Sequence, residues 1–214
     1  MNNDEKIIKC LNENFDKYKK PVTELSKSDK GNYYIINDTL MFDWDEISQS
    51  DRGNNSASVD AINYSFRNNE LELDFFEFKS YDLYDVFFDA KKELTLYLNK
   101  IEEDDSFYEH IKEIRKLKKK LVSKKVISLK TKPVESLFLL HQILNDNGIS
   151  HEDLIKIKKK YYIVSKTKIN KNKSHIHIKG RGKEVFGFIN KIQPFPFVKV
   201  KPINEKTFIE IIQN

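Results

Sequence analysis

The stretch Leu71–Ser80, LELDFFEFKS, decides how the chain is read. Its three phenylalanines, two leucines and apolar density make it read as a strand buried in a sheet. Yet Glu77 and Lys79 stand near its end, two residues apart and so on one face, while Phe76 and Phe78 point to the other. An acid and a base on one strand face are either an ordinary ion pair or a pair placed to hold a metal ion and a phosphate. An exposed ion pair contributes only about 0–1 kcal/mol, so folding alone does not call for it.

Working outward, SVDAINYSF (Ser58–Phe66) reads as a strand, and Arg67–Asn69 as a turn that joins it to Leu71–Phe78 in a hairpin. Asp60 shares a strand face with Ile62 and Tyr64. The hairpin brings Asp60 beside Glu77 if the register aligns their faces, and the sequence does not fix that register. Upstream, residues 4–20 carry Ile7, Ile8, Leu11, Phe15 and Tyr18 at helical spacing up to Pro21, and a strand follows at about Tyr33–Phe42. Ser48–Ser58 is polar and reads as a loop. Asp43, Asp45 and Glu46 are acids able to bind metal, and they are expected instead to decorate the end of a strand anchored by Trp44.

Downstream, helices are expected at Tyr84–Ile101 and Ser106–Val122, a short strand at Lys125–Lys130 ending at a helix start marked by Thr131-Lys132-Pro133, and a buried helix at Val134–Asn145 stopped by Asn147-Gly148. After Gly148, Ser150 and Asp153 cap a short helix. Strands are expected at Tyr161–Thr167, His175–Lys179, Val185–Ile189 and Phe197–Lys201, then a helix at Glu205–Gln213. This order predicts an α/β core over 1–147 and a basic, β-rich accessory region over 148–214.

Composition narrows the function. The 214 residues are 39% hydrophobic and 33% charged, enough apolar material for a core. No apolar run approaches the roughly 18 residues of a membrane span. MNNDEKIIKC has no apolar core segment, so no secretory leader and a cytoplasmic setting are expected. The single cysteine, Cys10, excludes an internal disulfide and a cysteine-built zinc site. GRGKE (Gly180–Glu184) lacks the phosphate-loop spacing, and no Ser–His–Asp arrangement can be argued. His175 and His177 share a strand face without an evident third ligand.

The net charge of +5 hides a division along the chain. Residues 1–110 hold 13 Lys+Arg against 25 Asp+Glu, and residues 111–214 hold 25 against 8. Lysine use set by an AT-rich coding sequence leaves the confinement of the acids to the first half unexplained. A dipolar chain predicts a basic surface beside an acidic one. Lys112, Arg115, Lys116 and Lys119 line one helix face, Lys158, Lys159 and Lys160 precede Tyr161-Tyr162, and Lys179, Arg181 and Lys183 flank a turn. Basic residues interleaved with aromatics suit phosphate contact and base stacking, and the expected partner is nucleic acid, with no membrane.

Two carboxylates converging with a backbone carbonyl make an all-oxygen site suited to Mg²⁺. Asp60, a spacer of 16 residues, and Glu77-Phe78-Lys79 resemble the signature of the PD-(D/E)xK nuclease superfamily, with Val59 standing where the family name has proline. The order helix, three strands, helices, strand is similar to that family's core over roughly 1–147. The resemblance implies a restriction-endonuclease-like central mixed sheet flanked by helices, with 148–214 as a C-terminal basic β-rich extension. It implies that Asp60, Glu77 and the Phe78 carbonyl hold Mg²⁺ (or Mn²⁺), that Lys79 orients the attacking water, and that a helix glutamate assists, with Glu24 favoured over Glu5 and Glu13. The implied activity is endonucleolytic hydrolysis of phosphodiester bonds, of DNA more than RNA, in a possible homodimer. The alternative is a nuclease-like module that binds nucleic acid or protein without cutting.

Overall fold

The computed structural model describes residues 2–28, 31–52, 57–79, 128–165 and 196–213. The chain is mixed α/β: one six-stranded mixed sheet with helices on both faces. Helix α1 (Asn3–Phe15) starts at a capping box, with Asn2 accepting from the Glu5 N–H and Glu5 reaching back to the Asn2 N–H. Its Ile7, Cys10 and Leu11 are buried. The expected run to Lys20 stops at Phe15. A 3₁₀ turn over Asp16–Tyr18 leads into β1 (Lys19–Pro21), whose residues bond to β2 instead of to a further helical turn.

A four-residue helix, α2 (Val22–Leu25), precedes β2 (Leu40–Asp43), shorter than the strand expected from Tyr33. The polar stretch after it is not a loop from Ser48: Trp44–Arg52 forms α3, begun by the Asp43 carboxylate accepting from the Glu46 N–H at 2.9 Å. Its polarity is that of an outer helix face, since Trp44, Ile47 and Ser48 alone turn inward among its described side chains. Strands β3 (Ala61–Arg67) and β4 (Glu70–Lys79) form the expected hairpin. Asn68 and Asn69 turn it with φ of 54° and 61°, the left-handed pair that a two-residue hairpin requires.

Residues 128–146 form α4, so Ser128–Lys130 are helical and not the end of a strand. The strand beside β4 comes later: α5 (His151–Lys156) leads to β5 (Lys158–Ser165), which runs parallel to β4 with Glu77 opposite Ile163. Then β6 (Lys199–Ile203) runs parallel to β5, and α6 (Glu205–Gln213) closes the described chain. The expected boundary at 147/148 therefore falls inside one sheet, and residues 158–165 and 199–203 are its strands rather than an appended region. The helices expected at Tyr84–Ile101 and Ser106–Val122, and the strands at His175–Lys179 and Val185–Ile189, lie outside the described residues. So do Lys112, Arg115, Lys116, Lys119, Lys179, Arg181, Lys183, His175 and His177.

Strand alternation divides the core in two. Leu71, Leu73 and Phe75 of β4 pack with Ile7, Leu11, Trp44, Leu140, Leu144 and Tyr161 under α1, α3 and α4. Phe76 and Phe78 pack with Val22, Met41, Tyr162 and Phe208 under α2 and α6. Phe208 meets the rings of Phe76 and Phe78 edge-on at 5.2 and 5.4 Å. No helix among the described residues is long and apolar enough to cross a membrane.

Candidate active site

The register of the hairpin settles where Asp60 goes. Ala61 pairs with Phe76, so Asp60, one residue earlier, comes opposite Glu77 and on its face of the sheet. Three backbone contacts hold the segment before β3. The Val59 N–H donates to Ser136 Oγ of α4 at 2.9 Å, the Asp60 carbonyl accepts from the Trp44 N–H at 3.1 Å, and the Phe78 N–H donates to Asp60 Oδ2 at 2.5 Å. A proline at 59 would lack the N–H that ties this segment to α4.

Glu77 has no solvent exposure, and two lysines meet it. Lys79 Nζ donates to Oε1, and Lys132 Nζ of α4 lies 2.9 and 3.1 Å from Oε1 and Oε2. Lys132 also faces Asp60 Oδ1 at 3.7 Å, so one ammonium bridges both carboxylates. A buried carboxylate without such partners would cost several kcal/mol. Burial first, and the Glu77 charge second, hold the Asp60 carboxyl well above the usual carboxylate range, with Lys79 and Lys132 pulling it back. Burial works against the Lys132 ammonium, but Glu77 and Asp60 outweigh it and its pKa rises.

The group opens into a cleft of about 400 Å³ lined by Glu24, Lys27, Asp43, Asp45, Asp60, Phe78, Lys79 and Lys132, among others. Glu24 is brought there by α2, at the cleft wall. Asp45 accepts from Ser58 Oγ, and its pKa is raised by burial. Asp43 is engaged at 2.8 Å by Lys20, which also holds Glu46 at 2.6 Å. The five candidates Asp60, Glu77, Phe78, Lys79 and Glu24 thus meet at one cleft or its floor.

The lysines expected to meet a phosphate from β5 are otherwise engaged. Lys159 is 3% exposed, and its ammonium donates to the Leu154 and Ile157 carbonyls at the end of α5, so it caps a helix rather than reaching a ligand. Burial pushes its pKa down to about 8. Lys158 pairs with Glu70 and Lys160 with Glu72, across the β4–β5 ladder.

Sequence reasoning missed Lys132, because KVISLK followed by a proline resembles a strand meeting a helix start. The signal was present: Lys132 lies three residues after Leu129 and four before Ser136, both buried, and so sits on the inward stripe of one continuous helix. For Asp45 the sequence favours a strand end over a metal ligand, and the capping by Asp43 that turns it into the cleft is visible only once α3 is placed.

As a divalent-cation site the donor set is all oxygen, with Oδ1 of Asp60 and the Glu77 carboxylate turned to a point that a positive group already occupies. No set of three or more Asp, Glu, His or Cys side chains converges on one point among the described residues. Two carboxylates with the remaining positions left to water and substrate oxygens is the pattern that suits Mg²⁺, so the residues fit. No known family model, curated protein sequence or solved structure matches the chain.

Proposed function

We propose that the chain is a metal-dependent phosphodiesterase acting on nucleic acid, DNA before RNA. The observation that carries the reading is the convergence of Asp60 and Glu77 on one cationic position at the floor of an open cleft, with Lys79 beside it. The strand order around it also supports the reading. Among the described residues β1 to β4 form an antiparallel run, α4 comes later in the chain, and β5 then pairs with β4, which agrees with the strands–helix–strand order of the PD-(D/E)xK resemblance although β5 lies beyond the residues it covered.

In this proposal Asp60 and Glu77, with the Phe78 carbonyl, hold Mg²⁺ or Mn²⁺. When bound, the ion supplies Lewis-acid polarisation of the scissile phosphate and lowers the pKa of a coordinated water. Lys79 donates toward the attacking water or the charge that builds on the phosphate. Glu24, on the cleft wall, accepts a hydrogen bond from that water. The Phe78 N–H fixes the Asp60 carboxylate so that Oδ1 keeps its aim.

The test is cleavage of plasmid and single-stranded DNA with Mg²⁺ or Mn²⁺. Asp60→Asn keeps the oxygen that accepts from the Phe78 N–H but loses the charge, and Lys79→Ala removes the ammonium. Each is expected to lower the metal-dependent rate by about 100-fold or more. Wild-type activity in either variant sinks the assignment. The second reading, a module that binds without cutting, draws on one feature: Glu77 is fully buried and already neutralised by two lysines. Binding to oligonucleotides with steep salt dependence and no cleavage in any metal selects it.

A further inference from the structure

One ammonium is enough to neutralise Glu77, and Lys79 supplies it from the same strand. Lys132 reaches in from another element, and its ammonium lies where the fields of two carboxylates add, 2.9 Å from Glu77 and 3.7 Å from Asp60. Its backbone is fixed in α4, but its side chain keeps 20% exposure toward the cleft, which leaves a flexible stem and an open direction of movement. A lysine is a compact point charge on a mobile chain and can leave a carboxylate, whereas an arginine fork grips it bidentately.

Two carboxylates facing each other without a cation repel, and a buried one is costly. Lys79 and Lys132 match the charge of Asp60 and Glu77 when both acids are ionised, and exceed it when Asp60 holds its proton. Adding a divalent ion makes the group of four strongly positive, and the ammonium nearest the shared position feels the greatest repulsion. We propose that Lys132 is an exchangeable counter-ion: without metal its ammonium holds Asp60 and Glu77 together, and with metal it cedes that position and turns into the cleft to meet a substrate phosphate. This rests on the reading of Asp60 and Glu77 as metal ligands. It assigns to α4 a residue that preserves the site when no metal is bound and that adds a phosphate contact when one is.

The experiment is calorimetric titration of Mn²⁺ into the full chain, for wild type, Asp60→Asn, Lys132→Met and Lys132→Arg. Asp60→Asn is expected to weaken binding by at least about tenfold, which establishes the site independently of Lys132. Lys132→Met, of similar length and uncharged, is expected to tighten Mn²⁺ binding by about tenfold, and Lys132→Arg to weaken it. Unchanged or weaker binding in Lys132→Met, with Asp60→Asn defective, overturns the counter-ion role and leaves the metal site standing. Absence of Mn²⁺ binding, or binding indifferent to Asp60→Asn, overturns both. If circular dichroism shows Lys132→Met unfolded, Lys132→Arg decides, and undiminished affinity there overturns the proposal.

Discussion

Asp74 sits on β4 three residues before Glu77, on the opposite face of the sheet, with 4% of its side chain exposed. Arg67 reaches Oδ2 at 3.5 Å, while Oδ1 has no partner among the described residues. Burial raises its pKa to about 6, against the opposing pull of Arg67 and Lys160. A carboxyl raised in the folded state binds more protons folded than unfolded between its ordinary pKa and about 6. Its contribution is therefore most favourable below about pH 4 and is lost as pH rises through 6. Asp74→Asn should be more stable than wild type at pH 7.5, by no more than about 3 kcal/mol, with the difference closing near pH 4. Paired urea melts at the two pH values check this, and a gap that does not depend on pH refutes it. The shared face of Glu77 and Lys79 was legible at this scale from strand alternation, whereas the meeting of Asp60 with Glu77 depended on a hairpin register that the sequence leaves open. Lys132 was not legible, because its role comes from a contact 55 residues away along the chain from Glu77.

At the scale of elements, the termini of α4 show what local sequence can and cannot specify. Its end was readable: Gly148 takes φ of +77°, and the Ile149 N–H reaches the Leu144 carbonyl at 2.9 Å in the manner of a left-handed helix stop. A methyl group there meets no atom within 4 Å, so the penalty of Gly148→Ala is backbone strain alone, expected at about 1 kcal/mol in a thermal melt. A loss above 3 kcal/mol would point to packing that the present contacts do not contain. Its beginning was not readable, since Val126-Ile127-Ser128-Leu129 has a strand's composition and Pro133 marks a boundary in most contexts. The buried positions 129, 136, 140 and 144 override that preference, because tertiary packing rewards a helical stripe. The same conflict hid α3, whose few inward residues are too sparse to announce a helix.

At the scale of the molecule, the largest departure from the sequence reading is the unity of the sheet. A change from acidic to basic composition near the middle of the chain suggests two units, but charge follows surface, and the surface of one sheet can change sign without a domain boundary. Residues 1–147 alone would leave β4 an open edge and strip Phe75 of Phe197, and Phe76 of Tyr162 and Phe208. The isolated fragment is expected to lack a cooperative thermal transition, while the full chain melts in one step. A fragment that melts like the whole would restore the two-unit division.

β4 has a hydrogen-bonded neighbour on each side, antiparallel β3 and parallel β5, and eight of its ten residues are buried. Its amide protons should be the last in the chain to exchange with deuterated solvent. Glu77 is thus mounted on a strand paired along both edges, so any rearrangement around it has to be supplied by side chains that approach from outside that strand. A cleft arranged in this way keeps its base, and a destabilising change elsewhere would erode its rims long before it displaced the acid beneath them.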